Sequence, residues 1–239
     1  WKKLMYRIIL EKIKKTLGKN NPPIILILGL RQTGKSTLAG TISQGKPVIK
    51  FNFDLLSDIN EFTRQNRHSL ALFAKKYVHH ILIIDEIQKS PEAVGIVKYL
   101  YDTFKLKILL TGSSEIKIRR GIGDSLAGRL YEFKLYPLTF EEINRQADLI
   151  FNPGLEFNNF EQNQQLLFRS LVFGTLPQLE NFSPEAYPDY LNNLVNGLLS
   201  KDVMEISGTK KPAQVFHLAR LLAMQIGQIV NFNELSQLT

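Results

Sequence analysis

The sequence predicts an α/β fold, a parallel β-sheet covered on both faces by helices, and three observations predict it. Short, wholly aliphatic runs recur, as strands buried on both faces require; Ile24-Ile25-Leu26-Ile27-Leu28 and Ile81-Leu82-Ile83-Ile84 are the clearest. Helical stretches separate these runs, and strands that alternate with helices fold into parallel sheets. The first run leads directly into Gly29-Leu30-Arg31-Gln32-Thr33-Gly34-Lys35-Ser36, which fits the phosphate-binding pattern G-x-x-x-x-G-K-[ST] between a strand and a helix.

The elements follow in order. Trp1, Leu4, Met5, Ile8, Ile9, Ile13 and Leu17 recur at helical spacing, interleaved with Lys2, Lys3, Arg7, Lys12, Lys14, Lys15 and Lys19. That pattern predicts a basic amphipathic helix over residues 1–20. After the strand at 24–28, Ser36-Thr37-Leu38-Ala39 opens a helix whose N-terminal dipole favours an anion. Residues 48–53 read as the second strand, set off by Gly45 and Pro47, and one helical stretch runs from about 57 to 77. The third strand is 81–86. Ser90 as N-cap and Pro91 in the first turn predict the next helix, followed by a fourth strand at 107–111 and a fifth at 131–135. From about residue 145 the aliphatic strands cease, and 164–173, 187–199 and 212–227 read as helices, with 207–212 as a linker. A new helix start at Glu234 makes the end of the chain the opening of a helix-turn-helix that stops before its recognition helix.

At 239 residues, 44% hydrophobic and 22% charged, the composition suits one large globular domain or two small ones. The absence of cysteine excludes a disulfide scaffold and a Cys-type zinc site. No apolar run approaches the roughly 18 residues of a membrane span, and the start lacks a signal peptide's apolar segment. A cytoplasmic protein with no membrane partner is therefore expected. The chain opens on Trp1 rather than Met, which points to a beginning inside a longer open reading frame. A net charge of +8 fits an anionic partner, nucleotide or nucleic acid. The lysine face of the first helix reads as a solvated surface, with DNA contact as the alternative. His68, His79, His80 and His217 lack companion ligands at metal spacing, and the aromatic-rich stretch 151–168 reads as packing.

The glycines of the loop let its backbone turn tightly and aim N–H groups inward at a phosphate chain. Gly29, Leu30, Arg31, Gln32, Thr33, Gly34, Lys35, Ser36 and Thr37 are thus the expected nucleotide contacts, with Lys35 reaching the β- and γ-phosphates. Such a site also needs a carboxylate for Mg²⁺. Asp85, directly after four aliphatic residues, is placed to hold the ion with Ser36, and Glu86 to polarise an attacking water. No N-K-x-D motif for guanine, no L-S-G-G-Q signature and no second full α/β domain is present, which excludes GTPases, transporter ATPases and superfamily helicases. ATPases of the AAA+ kind, which insert a strand between those of the two motifs, fit best.

Gly29 to Leu38, Ile84-Asp85-Glu86-Ile87-Gln88, Leu110-Thr111-Gly112-Ser113-Ser114, Ser125-Leu126-Ala127-Gly128-Arg129 and Tyr136-Pro137-Leu138-Thr139-Phe140-Glu141-Glu142 occur in this order. Together they resemble the prokaryotic AAA-domain ATPases of the AAA+ superfamily whose C-terminal half carries a domain of unknown function, DUF4143. Phe173-Gly174-Thr175-Leu176-Pro177 and Lys201-Asp202-Val203 resemble that family's C-terminal portion, although the family usually has Gly-Gly-x-Pro where this chain has Gly174-Thr175-Leu176-Pro177. The resemblance covers about residue 7 to the end.

It implies a P-loop NTPase of AAA+ type: a five-stranded parallel sheet with a helical lid and a truncated winged-helix start. The N-terminal helix would span 1–20, the ATPase core 21–145, the lid 146–206, and the linker with the partial winged helix 207–239. It further implies that Ser113, with Thr111 as backup, senses the γ-phosphate or the water. Arg129 would be an arginine finger supplied by a neighbouring subunit of a homo-oligomer, with Arg119 and Arg120 as competitors. The structural alternative for Arg129 is a salt bridge to Glu132 or Glu141. The implied activity is Mg²⁺-dependent ATP hydrolysis coupled to movement of the lid and of a C-terminal DNA-binding-like module. The alternative is a slow-hydrolysing ATP-dependent switch or a DNA-associated scaffold.

Overall fold

The computed structural model describes residues 6–113, 125–146, 160–209 and 211–238. Five strands, β1 (Ile24–Leu28), β2 (Val48–Asn52), β3 (Ile81–Asp85), β4 (Lys107–Gly112) and β5 (Leu130–Lys134), form one sheet in the order β2-β3-β4-β1-β5. Every pairing is parallel. β4 follows β3 in the chain yet lies between β1 and β3, so the inserted strand is in its expected place. This is the α/β, P-loop NTPase-like arrangement that the sequence predicts.

Every residue of β1 and β3 is buried, because helices cover both faces. Side chains alternate across a strand, so each strand feeds two cores. Ile24, Leu26, Leu28, Leu82 and Ile84 pack with Phe51, Phe62, Val97 and Leu100 on one face. Ile25, Ile27, Ile81 and Ile83 pack with Leu10, Ile13, Leu17, Leu38 and Ile42 on the other. Each fully buried aliphatic side chain contributes about 1.5–3 kcal/mol, which makes these strands the rigid base of the loops beyond them.

Helix α1 (Ile9–Leu17) buries Leu10, Ile13, Thr16 and Leu17 and leaves Lys12 and Lys15 exposed, as is Lys19 just past its end. Arg7 departs from the expected basic face: it precedes α1 and is 2% exposed. Helix α2 is Lys35–Ser43. The stretch expected as one helix from 57 to 77 is two, α3 (Leu56–Thr63) and α4 (Arg67–Lys76). Asn66 explains the break, since its extended backbone and its side chain, which accepts from the Ser69 N–H at 2.8 Å, cap a new helix. Helix α5 (Ala93–Phe104) starts later than Ser90 and Pro91 suggest. A 3₁₀ turn at Ile87–Lys89 intervenes, and Ser90 and Pro91 serve as backbone acceptors for Ala93 and Val94.

Helices Phe140–Gln146 and Phe160–Phe173 and a 3₁₀ turn at Pro177–Asn181 follow. The chain divides into two compact units, Trp1–Asn181 and Phe182–Thr239. In the second unit, helix Tyr187–Gly197 runs into a π-helical turn at Leu198–Val203, and helices Met204–Ser207, Pro212–Met224 and Phe232–Leu238 complete it. The last helix starts at 232 rather than 234 because the Asn231 side chain accepts from the N–H groups of Asn233 and Glu234 at 3.1 and 3.4 Å. Among the described residues, no helix is long and apolar enough to cross a membrane.

Candidate functional site

Parallel strands end on one edge, and the loops after β1, β3 and β4 meet there, as Leu28 pairs with Gly112 and Lys134 and Asn52 with Asp85. Residues 29–34 connect β1 to α2. Gly29 donates its N–H to Gly112 O at 3.3 Å, and a Cβ added there would stand 2.3 Å from Leu135 O. Only glycine fits so close to the backbone just past β5. Gly34 turns the chain into α2 with a left-handed φ of 89°. The first N–H groups of α2, on Lys35, Ser36 and Thr37, have no intrahelical acceptor and sit at the positive end of the helix dipole.

Lys35 is 5% exposed. Its Nζ donates to Gly29 O at 3.0 Å and Leu30 O at 2.9 Å and lies 3.9 Å from Glu86 Oε1. Burial pulls the ammonium below the ordinary lysine range; Glu86 and Asp85 oppose that shift and Arg31 adds to it. Leu30, Arg31 and Gln32 form the exposed tip of the loop, while Ser36 and Thr37 are exposed in the first turn of α2.

Asp85 ends β3 at 6% exposure. Its Oδ1 accepts from the Thr111 hydroxyl, and Lys50 Nζ stands 3.9 Å from its Oδ2. Glu86 has a left-handed φ of 56°, and its N–H donates to Thr111 Oγ1 at 3.2 Å. One threonine on β4 therefore orients both acidic residues. Glu86 Oε2 accepts from Ser113 Oγ at 2.7 Å and from Gln88 Nε2, and Gln88 Nε2 also donates to Ser113 Oγ at 3.0 Å. Ser113 thus touches the carboxylate directly. The Ser36 hydroxyl and the Asp85 carboxylate are hard oxygen donors, a set that fits Mg²⁺.

Gln88 and Lys50 received no role from the sequence, and Arg7 was expected only on the basic face of the first helix. Gln88 was visible in Asp85-Glu86-Ile87-Gln88, but only the 3₁₀ turn at Ile87–Lys89 shows that its amide reaches back to Glu86.

Arg129 is not brought to this edge of its own sheet. It precedes β5, and its carbonyl accepts from the Ile24 N–H at 2.9 Å, at the start of β1. Its side chain pairs with Asp102, Nε to Oδ1 at 2.7 Å and NH2 to Oδ2 at 3.0 Å. The partner is Asp102 rather than Glu132 or Glu141. Arg119 and Arg120 lie outside the described residues. His80 packs edge-on against Tyr77 with ring centroids 5.1 Å apart, and among the described residues no group of three or more histidine, aspartate or glutamate side chains is gathered to hold a metal ion.

Residues 21–144 match the AAA domain family. An uncharacterized protein of Methanocaldococcus jannaschii is 28% identical over 98% of this chain and 55% of its own length. One of Haemophilus influenzae is 24% identical over 91% of this chain and 55% of its own length. The chain spans about half the length of these curated relatives. A Walker-type ATPase of Pyrococcus abyssi superposes with a TM-score of 0.54 at 18% identity, over 87% of this chain and 77% of its own, a likeness of fold.

Proposed function

The chain belongs to the AAA domain family, and from that premise we propose that it binds Mg·ATP and hydrolyses the γ-phosphate. The observation that carries this reading is the meeting of Lys35 and Glu86 across the sheet edge, Nζ 3.9 Å from Oε1, with Asp85 beside them. Glu86 Oε2 is taken by Ser113 and Gln88, which leaves Oε1 as the atom that accepts a proton from water. The water oxygen bonds to the γ-phosphorus as the bond to the ADP oxygen breaks. The loop N–H groups and Lys35 stabilise the charge that spreads over the phosphate oxygens. Ser36 and Asp85 would hold Mg²⁺, which when bound neutralises charge on the β- and γ-phosphate oxygens.

Residues 146–206 are read as the lid and 207–239 as linker and partial winged helix, the start of a DUF4143-like portion. Arg129, at the far edge of its own sheet, would act on the nucleotide of a second copy. Duplex DNA is the proposed further partner, supported by the net charge of +8 and the exposed Lys12, Lys15 and Lys19. A slow-hydrolysing switch is the second reading, favoured by the two bonds that already hold Glu86 Oε2.

The test is calorimetric Mg·ATP titration beside steady-state turnover, for the wild type and Glu86→Gln. Binding should stay within about threefold while turnover falls by about 10²–10⁴. Equal turnover in the two proteins rejects Glu86 as the base. Tight binding with wild-type turnover below roughly one per hour selects the switch, far under the usual range for enzymes.

A further inference from the structure

Arg7 lies before α1, far in sequence from the phosphate loop, and its side chain is 2% exposed. Its NH2 donates to Thr33 O in that loop. Its NH1 donates to Tyr136 O at 3.1 Å and to Glu142 Oε2 at 2.9 Å. Glu142 in turn accepts from the Ile8 N–H at 2.8 Å and the Thr139 N–H at 3.0 Å. One guanidinium therefore joins the segment before α1, the loop after β1 and the chain after β5.

We propose that Arg7 is a positioning residue for the phosphate loop: by holding Thr33 O, it turns the Thr33–Gly34 peptide so that the Gly34 N–H faces the phosphates. The inference rests on the nucleotide reading of that loop. In a planar trans peptide the C=O and N–H point in opposite directions. With Thr33 O drawn to Arg7, the Gly34 N–H must point away from Arg7. The Thr33 N–H and hydroxyl bond to Leu30 O at 3.4 and 2.9 Å, and the Gly34 carbonyl accepts from the Leu38 N–H at 2.8 Å, so the residues on either side are held, while Gly34, with a left-handed φ of 89° and no Cβ, leaves the peptide between them free to turn. An outside anchor decides its orientation.

Two features separate this role from a simple rivet between α1 and the sheet. A lysine ammonium also has three donors, but all on one nitrogen, whereas the planar fork places NH1 on Glu142 and Tyr136 O and a second nitrogen, NH2, on Thr33 O. Among the described residues, the Arg7 Nε is buried without a hydrogen-bond partner. Leaving a buried donor bare costs free energy, and the side chain bears that cost in the orientation that brings NH2 to Thr33 O.

The test uses the full chain with Arg7→Lys and Glu142→Gln, read by melting temperature, Mg·ATP affinity, turnover at saturation, and hydrogen exchange of residues 29–37 without nucleotide. Arg7→Lys keeps the charge beside Glu142 but loses the fork. It should weaken Mg·ATP binding about tenfold, keep saturated turnover within about threefold and speed exchange across 29–37. Glu142→Gln should lower the melting temperature yet change affinity less than about threefold, since the Thr33 contact remains. Unchanged affinity and loop exchange in Arg7→Lys overturn the proposal. So does a loss of affinity that tracks melting temperature equally in both variants. A wild type that binds no Mg·ATP overturns the proposed function alone, because the exchange at 29–37 still decides the role of Arg7. Should Arg7→Lys fail to fold, Arg7→Met combined with Glu142→Leu removes both buried charges and carries the same readouts.

Discussion

At the C-terminal edge of the sheet, Lys35, Glu86, Ser113, Thr111 and Asp85 are linked in one chain of ion-pair and hydrogen-bond contacts, and Lys35 and Asp85 are almost fully buried. At the N-terminal edge, Arg129 and Asp102 pair in the open. The same two charge types thus behave differently at the two ends of five strands. Parallel strands deliver every strand-to-helix loop, and the bare N–H groups of α2, to the first edge. Charges there are desolvated, so each must answer to a partner or a ligand. The pair at the other edge is solvated and screened by salt. The contrast teaches that a residue's place on the strand, more than its type, decides whether it can act on its own chain's nucleotide.

Lys35→Ala gives the largest effect in this comparison. Losing charge-assisted bonds to phosphate should weaken Mg·ATP affinity by about 10²-fold in calorimetry. A loss below threefold would mean that the buried edge does not hold phosphate. Next is Thr111→Val, which takes a donor from Asp85 and an acceptor from the Glu86 N–H. It should cost about 1–3 kcal/mol, seen as a drop of several degrees in melting temperature for a chain of this size, with weaker Mg²⁺-dependent binding. Unchanged values for both would show that β4 does not orient the acidic pair.

A smaller effect comes from pH. Burial sets the Lys35 pKa below the ordinary 10.5, so its ammonium is lost at a lower pH than an ordinary lysine's. Mg·ATP affinity should fall as pH rises toward that value, and Lys35→Arg should remove the alkaline fall. An alkaline limb that persists in Lys35→Arg assigns it to another group. The folded state binds this proton less tightly than the unfolded chain does, so Lys35 lowers stability at neutral pH. That loss is relieved as pH rises through the folded pKa toward the unfolded value.

Arg129→Ala should have the smallest effect on binding, within about twofold, because its guanidinium sits at the opposite edge. Any loss of turnover should appear only where turnover rises with protein concentration, as a residue acting on a second copy requires. A tenfold loss of affinity in a monomer would break the comparison.

Much of this was legible in the chain. The five strands, the Gly29–Ser36 pattern and Asp85-Glu86 follow from periodicity and motif chemistry, and the family of the core agrees with the resemblance those motifs carry. Element ends were less legible. Asn66 and Asn231 move helix starts through single side-chain caps, and Ser90 acts through its carbonyl rather than its hydroxyl. Arg7 was the least legible: in a lysine-rich segment it looks like surface charge, yet it is buried on Glu142.

The sequence by itself determined which residues form the strands, where the phosphate loop lies and which carboxylates end β3, because hydrophobic period and backbone chemistry act between near neighbours in the chain. Only the tertiary structure decided that Thr111 serves both Asp85 and Glu86, that Gln88 and Ser113 share one carboxylate oxygen, that Arg129 pairs with Asp102, and that Arg7 anchors Thr33. Most of those contacts join residues more than twenty positions apart, and even the Gln88–Glu86 bond depends on a 3₁₀ turn that no local period announces. They exist because strand order and burial bring these partners together away from water, where a charge needs a partner.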